Sequence, residues 1–449
     1  MRFPLEPPHY PVGERADLDD SSLWSINNTH DPALVSDGGT YYVFSTDRAL
    51  GPKQSVPFRA GIQVRTSDDL IHWRWHGQAL DGIPSEAAAW TNCRGLWAPD
   101  AAKIGKHYYL YYAASQFGKT QSYIGVLRGT SMEGPWQDLG EVIKSEAGTE
   151  GPNAIDPNVV WDAHGAPWLV YGSFFGGLYI KQLDPQTGKC TELGLGNCLA
   201  RRPRSVDRAL EGPYVVYNPK YQYYYLFLSY DSLFSTYNIR VGRSRSVNGP
   251  YVDYLGRALT DIEYPDPHAV GTKLAGSYAF GDDAGWIGPG HNSILQEGES
   301  FYIAHHARTG ARNFQDWSYL HVRKVLWTDD GWPLLSPQRY AGEQDQNIPS
   351  ESVAGIWDVI RFRSSNHGME HSQTEIWRSD GTVTSSEGQP LARWQLRSDT
   401  LMLESTEAPV IQAKLSVAWD HECWNPTIVF TGLDQWGQAV WGKQLRQGF

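Results

Sequence analysis

Three carboxylates and one histidine, Asp31, Asp156, Glu211 and His291, open strand-like runs that lie far apart in the chain yet share one local pattern. Two carboxyl groups in unlike environments can divide the breaking of a glycosidic bond, one protonating the leaving oxygen while the other activates water. A third acid beside them raises the donor's pKa by like-charge repulsion and orients it. The same acids would also suit a divalent cation, although one histidine among three acids is a thin set for transition-metal catalysis. The plainer alternative is that Asp-Pro and Glu-Gly-Pro only punctuate strand starts. That explains one such residue better than it explains three acids and a histidine at matching places.

The elements that must bring these residues together are read from the same pattern. Five signatures, at Asp31, Asp100, Asp156, Glu211 and His291, are spaced by 69, 56, 55 and 80 residues, and each introduces a pair of apolar and aromatic runs. The turns between the paired runs, such as Asp37-Gly38-Gly39, Gly105-Lys106 and Glu297-Gly298, have the chemistry a β-hairpin needs. Weaker echoes, SDDLIHWRWHGQAL, SMEGPWQDLGEVI and SVNGPYVDYLGRAL, read as outer strands. Strand repeats at this period predict an all-β chain whose first domain, residues 1–345, is a five-bladed β-propeller. In that fold the first strand of each blade lines the central channel, so the four residues converge on one mouth of it.

A polar stretch, RYAGEQDQNIPS, then separates a different rhythm of short alternating segments. Residues 350–449 are expected to form a small C-terminal β-barrel or sandwich. The net charge of −12 excludes a nucleic-acid footprint, and no apolar run is long enough for a membrane helix. The first twenty residues lack the apolar region of a secretory signal, which points to the cytoplasm, or to an extracellular protein whose leader has been removed. Of the four cysteines, only Cys190 and Cys198 lie close enough in sequence to close a small loop, and free thiols are expected.

The segments HDPALV, WAPDAAKIGKHYYLYYAAS, NAIDPNVVWDAHGAPWLVYGSFFGGLYI, EGPYVVYNPKYQYYYLFLSY and GPGHNSIL together resemble glycoside hydrolase family 43, above all its two-domain endo-1,5-α-L-arabinanases. The resemblance implies inverting hydrolysis of α-1,5-linked arabinofuranosyl bonds in arabinan or arabino-oligosaccharides. It implies Asp31 as general base, Glu211 as general acid and Asp156 as the residue that tunes and orients the acid, with base and acid roughly 6.5–9.5 Å apart. It further implies that His291 holds a mostly water-coordinated calcium ion in the channel. It also implies sugar contacts from Trp97, Phe117, Gly118, Asn153, Ser173, Phe174 and Phe175. His30 reads as support for Asp31, and at least one of His305 and His306 as structural. The expected partner is the glycan alone, with no nucleic acid, no membrane and a monomeric chain. The insertions QSVPFRAG, IPSEAAAWTNCRG and GTKLAGSYAFGDDAGWIGPG are candidates for closing one end of the cleft. The rival readings are an exo-acting α-L-arabinofuranosidase or β-xylosidase of the same family and, more remotely, a carbohydrate-binding propeller without turnover.

Overall fold

Each hairpin forms because a β-rich run meets its partner across a turn that only a few residues tolerate. In the first, Ala33–Asp37 pairs in register with Thr40–Ser45, and Gly38 and Gly39 turn the chain at φ of 61° and 89°. The computed structural model describes residues 1–10, 12, 21–48, 58–311, 317–404 and 410–445. Blade 1 continues with Gln63–Ser67 and Arg74–Gln78. Blade 2 is Leu96–Ile104, His107–Ala114, Ser122–Gly129 and Gln137–Ser145. Blade 3 is Asn158–Trp161, Pro167–Tyr171, Leu178–Gln182 and Asn197–Ala200. Blade 4 is Leu210–Asn218, Tyr223–Tyr230, Asn238–Ser244 and Thr272–Ala275. Blade 5 is Trp286–Glu297, Ser300–Thr309, Ser318–Trp327 and Pro333–Leu335. The first strand of each blade is innermost, and blade 5 packs back on blade 1 to close the ring.

The structural repeat differs by a residue or two from the sequence repeat. The equivalent positions are Asp31, Ala98, Asp156, Gly212 and His291, all at positive φ between 39° and 59°. Four of them precede a proline, and the fifth precedes Asn292. Glu211 therefore stands one residue before the kink, while Asp100 stands two residues after it and faces the blade junction. Asp100 is buried, and its carboxylate accepts the Val159 N–H at 2.7 Å and the Asn158 side chain at 3.2 Å. The same place in other blades works alike. Asn158 accepts the Val215 N–H, Ser293 accepts the Leu34 N–H, and the Tyr214 hydroxyl bonds the backbone at Ile294. Polar side chains thus lace four of the five junctions around the channel.

Two sequence expectations need correction. SVNGPYVDYLGRAL does not supply the outer strand of blade 4, which is Thr272–Ala275. Asp253 folds the segment on itself by accepting the Leu255 and Arg257 N–H groups, leaving isolated bridges at Val252. The stretch GTKLAGSYAFGDDAGWIGPG accordingly is blade structure rather than an insertion. IPSEAAAWTNCRG holds the short helix Ser85–Thr91, which packs on blade 2. Residues 54–57 of QSVPFRAG lie outside the described residues.

Eight C-terminal strands, from Gly355–Arg361 to Ala439–Leu445, close into a barrel, because Gly355–Arg361 pairs with both Gln373–Trp377 and Ala439–Leu445. Trp357, Trp377, Trp394 and Phe430 pack together in its interior. The two units are stitched together at several points. Glu370–His371 adds in parallel to Tyr278–Ala279 of the propeller, and Phe362, Leu433 and Trp441 join a core that includes blade 4 and blade 5 residues. The amino-terminal segment also reaches across, with Phe3 against the barrel core and Glu6 accepting the Trp424 indole N–H at 2.7 Å. All four cysteines are free thiols.

Candidate active site

At one mouth of the channel the strand kinks turn Asp31, Asp156 and His291 toward one another, and the blade 4 kink brings Glu211 beside them. All four line one cleft of about 860 Å³. Asp31 is held by several donors at once. Its Oδ2 accepts the Thr46 hydroxyl at 2.5 Å and His30 Nδ1 at 2.8 Å, and its Oδ1 lies 3.0 Å from His291 Nδ1. Burial alone would raise its pKa, yet these charges and donors win and hold the carboxyl well below its usual range.

Glu211 sits in the opposite environment. Burial pushes its pKa up, against the opposing effects of the His291 cation and of two donors, Tyr237 OH to Oε1 and Ser173 Oγ to Oε2, each at 2.9 Å. Asp156 is raised for the same first reason, burial, with the Glu211 charge adding to it. The Asp156 carboxylate also accepts the Gly212 N–H at 3.0 Å, so it fixes the backbone next to Glu211. His291 resists burial because Asp31 and Asp156 surround it with negative charge, and its pKa rises to about 9. One carboxyl pushed toward its ionised form and another toward its protonated form, in the same cleft, is the division of labour that acid–base chemistry requires.

Residues 25–333 match the profile of glycosyl hydrolases family 43, and residues 337–442 match that of a C-terminal lipocalin-like domain. The chain belongs to glycoside hydrolase family 43. Among its relatives, the extracellular endo-α-(1→5)-L-arabinanase of Thermotoga petrophila is 32% identical over 482 residues, covering 96% of each chain. The extracellular endo-α-(1→5)-L-arabinanase 2 of Bacillus subtilis is 30% identical, covering 93% of each. The crystal structure of the Thermotoga petrophila endo-1,5-α-L-arabinanase superposes with a TM-score of 0.83 at 30% identity, covering 94% of this chain and 99% of that one. No helix among the described residues is long and apolar enough to cross a membrane.

In this family 43 cleft, Trp97, Phe117, Gly118, Asn153, Ser173, Phe174 and Phe175 all line the wall. Two are held by side-chain hydrogen bonds. Ser173 donates to Glu211, and the Asn153 amide oxygen accepts the Ser122 hydroxyl at 2.6 Å. Phe117, from blade 2, meets Phe234, from blade 4, with ring centroids 5.8 Å apart. His305 is structural, accepting Arg323 Nε at 3.1 Å, whereas His306 stacks on His30 and takes the Asp31 N–H on its Nδ1. Sequence reasoning missed Thr46 and Tyr237, which stand just outside the strands Thr40–Ser45 and Asn238–Ser244 and carry no signature of their own.

For calcium the donor set is sparse. Among the described residues the trios of potential ligands close enough to share an ion are His30–Asp31–His306 and Asp231–His268–His367, and His291 belongs to neither. Calcium takes six to eight oxygen ligands. An ion here would be largely hydrated and held by one imidazole nitrogen of His291 in its neutral form, and the residues do not build a protein cage.

Tyr237 donates to the charged form of Glu211, so Tyr237→Phe leaves that carboxyl protonated to higher pH. The alkaline limb of kcat/KM against pH is expected to move upward while the acid limb stays in place. Activity at the optimum should fall roughly ten-fold for one lost hydrogen bond to a charged group of about 1.5 kcal/mol. A downward shift of the alkaline limb would contradict the assignment.

Proposed function

We propose that this family 43 enzyme hydrolyses α-1,5-linked L-arabinofuranosyl bonds in arabinan and arabino-oligosaccharides, acting within the chain and inverting the anomeric centre. The observation that carries the reading is the unlike set of partners of two buried carboxyls in one cleft, Asp31 held by Thr46, His30 and His291 and Glu211 bonded, among the described residues, only by the hydroxyls of Tyr237 and Ser173. The substrate choice draws on the two relatives named as endo-arabinanases, which align over nearly the whole chain. In the proposed step Asp31 takes a proton from water as its oxygen attacks the anomeric carbon. Glu211 gives its proton to the departing O5 of the next sugar, and the glycosidic C–O bond breaks. Asp156 orients the acid through the Gly212 N–H and keeps its pKa up by charge. Trp97, Phe117, Phe174 and Phe175 offer apolar faces to the furanose C–H groups, with Gly118 and Asn153 beside them.

Debranched arabinan and arabinotriose incubated with the wild type should give oligosaccharides of mixed length early on, and proton NMR of the fresh products should show the anomer opposite to the substrate's. Glu211→Ala should lower kcat by about 10² to 10⁴-fold, the usual share of a general acid. Release of arabinose alone would turn the reading to an exo-acting enzyme, and retained configuration would remove the direct water attack.

Calcium belongs to the same proposal. Bound by His291 and water, it would supply fixed positive charge among the three carboxylates. Dialysis against a chelator should lower activity, and added calcium should restore it in the wild type but not in His291→Ala. Full activity of metal-stripped protein, checked by elemental analysis, would remove the ion from the scheme. We also propose a monomer, since the propeller ring and the barrel both close on themselves. Light scattering behind size exclusion should read near the chain mass of 50.4 kDa, and a value near twice that would refute it.

A further inference from the structure

Among the described residues, the cleft wall contains one that the propeller does not supply. His367 comes from the C-terminal unit, between the barrel strands Gly355–Arg361 and Gln373–Trp377, and lines the same cleft as Glu211. Buried propeller cations hold its loop in place. Lys273 Nζ donates to the carbonyls of Arg363 at 3.1 Å and Asn366 at 2.9 Å, and Arg240 donates to that of Ser364 at 3.0 Å. On the far side Glu370 and Ser372 donate their N–H groups to Ser277 and Ala279 as the short parallel pairing forms. A loop pinned on both sides of His367 is built to fix that side chain, since a mere linker would not place charged groups in the core to cap its carbonyls.

The partners of His367 point the same way. Its Nδ1 lies 3.5 Å from Asp231 Oδ2, and its ring meets that of His268 edge-on with centroids 4.2 Å apart. Asp231 follows the end of the strand Tyr223–Tyr230, two residues beyond Ser229, which is paired with Glu211 in register, and the trio lines the same cleft as the acid. Asp231, Asp207 and Arg208 all hold positive φ, at 70°, 55° and 51°, and such strain gathers at ligand sites. The trio does not read as a metal centre, because Arg202 places its guanidinium 2.6 Å from Asp231 and 3.4 Å from His268 Nδ1. With Arg202 and Asp231 paired to each other, the site has no unmatched charge to hold an ion, and its imidazoles suit neutral hydroxyls as ligand.

We infer that His367, presented by the C-terminal unit and seated on Asp231 and His268, is a sugar-binding residue beside the cleavage point, so the barrel completes the glycan cleft. This deepens the glycosidase reading and depends on it for the ligand class. The test measures arabinohexaose binding by calorimetry in the full chain carrying Glu211→Gln, which prevents turnover. Adding His367→Ala should weaken binding roughly five-fold, while His367→Gln, which keeps a polar group there, should weaken it by about two-fold or less. Lys273→Met, which loosens the loop without touching the cleft, should weaken binding in the same direction as His367→Ala. Binding within about two-fold of the parent for His367→Ala, with an unchanged melting temperature, would overturn the inference. So would a zinc-induced rise in melting temperature that His367→Ala abolishes, which would make the trio a metal site. Binding by the parent without hydrolysis by the wild type would overturn the catalytic reading alone.

Discussion

Each inner strand enters the channel through a residue forced into the left-handed region, and the site depends on that kink. Non-glycine residues pay of order 1–3 kcal/mol for such a conformation and keep it only where the surroundings impose it. Here Asp31, Ala98, Asp156 and His291 pay it, and Gly212 alone does not need to. The kink aims side chains at the mouth that a continuous strand would direct alternately to the two faces of the sheet. Where the kinked residue is charged it becomes part of the site. In blade 4 the kinked residue is Gly212, the preceding Glu211 enters the site, and a Cβ on Gly212 would come within 3.0 Å of His291.

Just beyond the kink a second polar position joins neighbouring blades. Asp100, Asn158, Tyr214 and Ser293 each bond the backbone of the following blade, and these bonds set how closely the inner strands converge. At Asp100 the arrangement is costly, since burial raises its pKa to about 7 despite the donors from Val159 and Asn158. The channel is thus a ring of hydrogen bonds below a ring of strained residues, and the catalytic geometry follows from both.

The repeat, the five blades and the convergence of Asp31, Asp156, Glu211 and His291 were legible in the sequence, because strand period, turn chemistry and X-Pro signatures are local. The register within the repeat was not. Asp100 and Glu211 look equivalent as acids near a proline, and only backbone conformation separates a junction residue from a cleft residue. The tie between His291 and Asp31 was equally hidden, since it joins blades 1 and 5 across 260 positions. The outer strand of blade 4 was misread because Asp253 captures the nearer segment in a turn, and no periodicity announces that competition.

The same limit explains why the C-terminal unit looked separable. Its strands do alternate like those of an independent barrel, and the barrel does close on itself. What binds it to the propeller is carried by few residues: the short Glu370–His371 strand, Lys273 and Arg240 capping loop carbonyls, and Trp441 packed beneath Arg323 and against Tyr278. Buried cations that cap main-chain carbonyls are costly to leave unpaired, so removing the barrel would strand Lys273 and Arg240 in the propeller core. The two units therefore share one stability, and a propeller cut free at residue 345 would lose both the loop that bears His367 and the partners of its own buried charges.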